Sequence, residues 1–170
     1  MIRWQTVLQA TALALSVPAA GSGGAAAQQP DRASCAGVMT EQSRSFTEDC
    51  LSDLATFVAS QPEMAAKVYS EKDSSYVTLT RTDDGIRAEA VSKFNHPLMK
   101  ADTPDILERL GWSAPENESD NWKKDIGSAS LGNGGAAREL GKALEAYGVK
   151  QGEAISLTVG PKLSDQPTSR

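Results

Sequence analysis

Catalytic side chains are scarce in this sequence. Histidine occurs once, as His96, so no second imidazole is present to complete a metal site or to share a proton relay. Cysteine occurs twice, at Cys35 and Cys50, without the CxxC spacing that marks redox and many zinc sites. No paired carboxylates stand out as an acid/base couple, and no nucleophile is accompanied by an obvious base. Long apolar runs are missing too. The longest mostly apolar stretch, Trp4 to Val17, falls short of the roughly 20 residues that cross a bilayer. Basic residues are outnumbered, 17 against 22 acidic, for a formal net charge of −5. That balance disfavours nucleic acid and anionic membrane surfaces, both of which are polyanions. No metal, cofactor or nucleic-acid partner is expected.

What is present begins with a leader. Arg3 is the only charge before Asp31, Val7, Leu8, Leu13 and Leu15 form an apolar centre, and Pro18 leads into a Gly/Ala stretch ending at Ala25-Ala26-Ala27. A charged start, a short apolar centre and small residues at −3 and −1 are what signal peptidase reads. Residues 1–27 are therefore expected to be a cleavable signal peptide. A lipid anchor on Cys35 fits less well, because Arg32 stands where a lipidation signal needs an aliphatic residue. Cleavage after Ala27 removes 27 of the 170 residues and one of the 17 basic side chains. That leaves 143 residues, 16 basic against 22 acidic, and a net charge of −6, the size of one ordinary domain. The export signal places the chain in the periplasm or outside the cell. In such a compartment an isolated cysteine pair with fourteen residues between its members is most simply a disulfide, Cys35 to Cys50.

Residues 28–44 are polar and small and read as a linker or N-terminal loop. Ser45 and Glu48 have capping-box spacing, and Leu51, Leu54, Phe57 and Val58 follow at helical period, predicting a helix over 46–60 that ends before Pro62. The period then changes to two. Ala66 and Val68, Val77 and Leu79, and Ile86, Ala88 and Ala90 alternate across turns at 72–75 and 83–85, predicting a three-stranded antiparallel meander over 65–93. Thr103 and Pro104 open a short second helix on Ile106, Leu107 and Leu110, stopped by Gly111. Residues 112–121 form a polar loop, and 122–126 a further strand. A third helix runs from Ala136 to Tyr147, and Ile155, Leu157 and Val159 alternate in a last strand. The tail after residue 160 is polar. Strands bunched between helices define an α+β fold, an antiparallel sheet packed against helices.

Few residues in this frame invite chemistry. His96, in a Phe-Asn-His-Pro stretch, reads as a loop residue rather than a catalyst. The carboxylates Glu41, Glu48, Asp49, Asp83, Asp84, Glu118 and Asp120 fall at caps, turns and loops and read as solvated surface. Leu131-Gly132-Asn133-Gly134-Gly135 before Arg138 resembles a phosphate-cradling loop, but no Lys-Ser/Thr follows and the pattern is not GxGxxG. A flexible entry to the helix accounts for it. Trp112 and Trp122 flank the polar loop. Their indoles suit core packing at its edge, and a binding platform is the other use of such a pair.

Leu110-Gly111-Trp112, Pro115 and Asn121-Trp122 resemble the LGW-x-x-P…NW signature of the TY-Chap domains, which are similar to type III secretion chaperones. Tyr76-Val77-Thr78-Leu79 matches the family's Tyr-Val-x-Phe strand. The run from Ile86 to Val91 matches its Leu-x-Ala-Glu-Val-x strand, and Leu140, Leu144 and Tyr147-Gly148-Val149 match its closing helix. The resemblance spans residues 45–160. It implies helices against an antiparallel sheet and a chaperone-like, non-enzymatic module that holds a peptide or partner protein. A homodimer is compatible with such a module. The alternative is a small periplasmic hydrolase or ligand-binding enzyme using His96 and nearby carboxylates, and a third reading is an envelope structural protein.

Overall fold

The structure is a computed structural model in which Cys35 and residues 41–162 are described, all within the unit Ala33–Arg170. The leader expected over 1–27 lies outside the described residues, as do the end of the tail and most of the expected linker.

The first helix starts later than its capping box suggests. Ser45 ends a short strand, β1 (Gln42–Ser45), and pairs with Ala154 in extended conformation, so it is unavailable as a cap. Thr47 takes that place, its side chain accepting from the Cys50 amide at 3.1 Å, and α1 runs Glu48–Ser60. Phe46, between strand and helix, is held by its amide on the Glu153 carbonyl at 2.8 Å, and its ring is fully buried. The segment expected to be linker up to residue 44 thus contributes an edge strand to the sheet.

The meander follows as expected, with β2 (Met64–Ser70), β3 (Tyr76–Thr82) and β4 (Gly85–Ala90) paired antiparallel in sequence order. The tight turn is Asp83-Asp84, with Thr82 opposite Gly85. Neither aspartate has positive φ; Gly85 does, at 157°. A Cβ there would lie 2.2 Å from the Ile126 carbonyl oxygen, so glycine is required as much by the close approach of the next strand as by the turn. After α2 (Thr103–Arg109) come β5 (Trp122–Gly127), a short α3 (Ser128–Leu131), α4 (Gly135–Ala146) and β6 (Ala154–Pro161). All pairs are antiparallel, in the order β1-β6-β2-β3-β4-β5. The fold is α+β, and the described residues form a six-stranded antiparallel sheet with four helices. No helix among the described residues is long and apolar enough to cross a membrane.

One face of the sheet is covered. Ala66, Val68, Val77, Leu79, Ile86, Ala88, Leu157 and Val159 alternate onto it and are buried, and α1 and α4 pack on each other and on this face. Leu51, Leu54 and Val58 of α1 and Leu140 and Leu144 of α4 complete the core. Gly141 of α4 faces the Phe46 ring, and a Cβ added there would lie 3.5 Å from Phe46 Cζ, an ordinary contact. Cys35 is bonded to Cys50 in the first turn of α1, with Cα atoms 5.2 Å apart. The covalent loop so closed contains β1.

Candidate functional site

Two stop signals shape the region around the expected motif. At the end of α2 the Gly111 amide donates to the Glu108 carbonyl (2.9 Å) and the Trp112 amide to Leu107 (3.0 Å), with Gly111 at φ 78°. That is a Schellman motif, whose left-handed position glycine adopts without strain. The same pattern ends α4, where Gly148 donates to Glu145 (2.8 Å) and Val149 to Leu144 (3.1 Å). The first stop turns Trp112 into the core, where it is 3 % exposed. Ser113 then pairs with Lys123 through two backbone hydrogen bonds of 2.8 and 3.0 Å. The bridge closes 114–122 into a loop and brings Pro115 to the same groove as Trp122.

Asn121 joins this loop to a second one, the stretch after β4. Its Oδ1 accepts from the Ser92 amide at 3.2 Å and from Asn95 Nδ2 at 3.0 Å, and Asn95 Nδ2 also donates to the Ser119 carbonyl at 2.9 Å. The second loop is held at both ends by the last turn of α4 and its cap. Tyr147 donates its hydroxyl to the Val91 carbonyl before the loop, and Thr103 donates its hydroxyl to the Ala146 carbonyl at 2.9 Å after it. Thr103, expected as the helix cap, therefore ties α2 to α4 instead; Asp102 is the cap residue and makes no side-chain bond. Burial, and to a lesser degree the nearby Tyr76, pushes the Tyr147 hydroxyl above its usual range, so it remains a proton donor.

Between the two loops lies a groove of about 520 Å³. Phe94, Pro104, Pro115 and Trp122 supply its apolar surface, and Ser92, Lys93, Glu116 and Glu118 are among its polar lining. Phe94 is 60 % exposed and Leu98, on the same loop, 82 %; these are the exposed large hydrophobic side chains among the described residues. Of the six expected motif residues, Pro115 and Trp122 line the groove and Asn121 fastens its two walls. Leu110, Gly111 and Trp112 form the helix stop that aims the loop, and the Leu110 carbonyl also accepts from the Lys124 ammonium. Ser92, Phe94, Leu98 and Pro104 were not expected at a site. For Phe94 and for Leu98, which lies outside the groove lining, the only signal is two large apolar side chains near Pro97 in a stretch that follows neither a helical nor a strand period, whereas Pro104 reads only as the start of a helix.

Apart from Glu118, which lines the groove, and Asp120 on the same loop, the other expected residues lie away from it. His96 is buried in the loop, with its amide on the Ser92 carbonyl and its own carbonyl accepting from Met99. Asp73 lies within electrostatic reach of it. Burial works to raise the Asp73 carboxyl, but hydrogen bonds from Ser75 and Ser70, together with His96, outweigh it and hold the group below its ordinary value. Among the described residues no hydrogen bond joins the His96 side chain to Asp73 or to Ser92. Glu41, Glu48, Asp49, Asp83, Asp84 and Glu118 are exposed and Asp120 half-buried, with Glu41 accepting from the Tyr69 hydroxyl. In the glycine-rich loop Asn133 Oδ1 accepts from the Gly135 amide at 2.9 Å and the Asn133 carbonyl from Arg138 at 3.3 Å. Its own side chains thus occupy groups a phosphate would need. No cluster of metal-ligating side chains occurs among the described residues.

The opposite face of the sheet, which no helix covers among the described residues, offers a second depression, about 500 Å³, over Ala65 and Gly160. The strand register sets Thr158, Lys67, Thr78 and Glu89 in one row beside it, and the Lys67 ammonium sits 4.1 Å from the Tyr76 ring centroid. Its polar side chains face solvent, as a one-sided antiparallel sheet requires. Fold and groove together define an α+β protein with an exposed apolar loop beside a cleft. No family model, curated protein or solved structure matches the chain.

Proposed function

We propose that this protein is a non-enzymatic, exported binding module, chaperone-like in the manner of the TY-Chap domains it resembles, that holds a peptide or partner protein in the groove. The observation that carries the reading is the exposure of Phe94 and Leu98 on a loop fixed at both ends. Leaving two large apolar side chains in water forgoes about 1.5–3 kcal/mol of burial each, a cost that a docking partner recovers. Anchoring the loop beforehand lowers the ordering cost of binding. The leader over 1–27 and the bonded cysteine pair support export, and His96, Asp73 and the surface carboxylates are dispersed among the described residues.

Photo-crosslinking in the native cell tests the reading. A benzophenone side chain placed at 94 or 98 is expected to give discrete polypeptide adducts, absent when it is placed at exposed Lys142 on α4. Adducts at neither loop position would overturn it. A turnover activity of the purified chain abolished by His96→Ala would replace it with the hydrolase reading.

A further inference from the structure

We propose that the segment held in the groove is an extended, basic and apolar stretch of polypeptide; this rests on the binding-module reading above and names the partner's chemistry. Three observations converge on it. The groove surface is apolar, from Phe94, Pro104, Pro115 and Trp122, so the occupant brings apolar side chains. Aromatic and proline walls of this kind suit an extended backbone, which presents side chains to the groove without a helix's bulk.

Charge supplies the second constraint. Glu116 and Glu118 line the groove and Asp120 stands on the same loop, against the single cation Lys93. Among the described residues neither glutamate is engaged in an ion pair. A partner with lysine or arginine beside its apolar residues would meet these carboxylates, whereas an acidic one would be repelled.

The third observation is an unsatisfied group. Ser92 lines the groove, is 3 % exposed, and its Oγ has no hydrogen-bond partner among the described residues. A buried hydroxyl without a partner is costly, and a peptide backbone laid along the groove offers the carbonyl or amide that would complete it. Two other depressions among the described residues lack this combination. The one over Ala65 and Gly160 has Lys67 and Lys162 against Glu89, and the one beside Gly148 is lined by Lys100, Lys150 and Glu145.

Three fluorescent synthetic peptides test the proposal by anisotropy. All share a Leu-Pro-Leu-Pro-Leu core and differ in flanks of two lysines, two glutamines or two glutamates at each end. The lysine-flanked peptide is expected to bind roughly tenfold or more tighter than the glutamate-flanked one at low salt, the gap closing near 1 M salt, where exposed charges are screened. Glu116→Gln with Glu118→Gln should remove most of that preference, chiefly by weakening the lysine-flanked peptide. Ser92→Ala should weaken all three peptides alike, and Phe94→Ala should abolish binding. Equal affinity for the three flanks would overturn the basic-partner inference, and so would binding by none. Binding without charge preference but lost with Phe94→Ala would leave the holding function intact, and the crosslinking at 94 and 98 decides that function separately.

Discussion

Trp112 and Trp122 show how two side chains of one type, ten residues apart, divide their work. Both are buried, but Trp122 reaches the groove while Trp112 closes the helix stop. Trp112 is nearly enclosed, and its Nε1 has no hydrogen-bond partner among the described residues, so its worth lies in the volume it fills. Replacing Trp112 by Ala is therefore expected to cost about 3–5 kcal/mol in denaturant unfolding, the range for emptying a large aromatic site. A loss near zero with folding intact would place the indole at a surface instead. Trp122→Ala would mix loss of packing with loss of groove wall. Phe94, largely in water, is the cleaner residue for reading binding alone.

At the scale of elements, two glycines make opposite demands. Gly85 begins β4 against the backbone of β5, and a methyl group there meets the Ile126 carbonyl oxygen at 2.2 Å and the Ser128 amide nitrogen at 2.9 Å. Backbone cannot step aside as a side chain can, so Gly85→Ala is expected to lower the melting temperature sharply. Gly141, inside α4, is different, because a methyl there would rest 3.5 Å from the Phe46 ring in ordinary contact. Gly141→Ala is expected to stabilise by about 0.5–1 kcal/mol through the smaller entropy of the unfolded chain. Calorimetry of the two variants side by side checks both signs. The elements most legible in the sequence were those with a regular apolar period, namely α1, the meander, α4 and β6. β1 was hidden because Gln42-Ser43-Arg44-Ser45 has no apolar side chain; it is a strand through its backbone pairing with β6. The cap passed from Ser45 to Thr47 for the same reason. Half of the groove was visible as the Pro115 and Asn121-Trp122 spacing. The other half was not, because Ser92 and Phe94 reach it through the folded path of an irregular loop and Pro104 through the first turn of α2.

For the whole molecule, the Cys35–Cys50 bond ties Cys35 to α1 and encloses an edge strand. A loop of this length is assigned about 3 kcal/mol by the chain-entropy account. The double variant Cys35→Ser, Cys50→Ser is expected to lose that much stability. Thiol labelling of denatured, unreduced protein should find no reactive cysteine, and two labelled cysteines would show the pair reduced. The anchoring of the exposed loop on the last turn of α4 reaches further than binding. Opening the peptide chain beside Phe94 would divide the described residues into β1 with α1 and the meander on one side, and α2, β5, α3, α4 and β6 on the other. Neither piece can close a core by itself: β6 lies between β1 and β2, β5 lines β4, and α4 packs on α1. Tyr147 and Thr103 would still grip the two severed stems. The exposed loop is thus also a natural seam, and a chain cut beside Phe94 is expected to reassemble from its two complementary fragments.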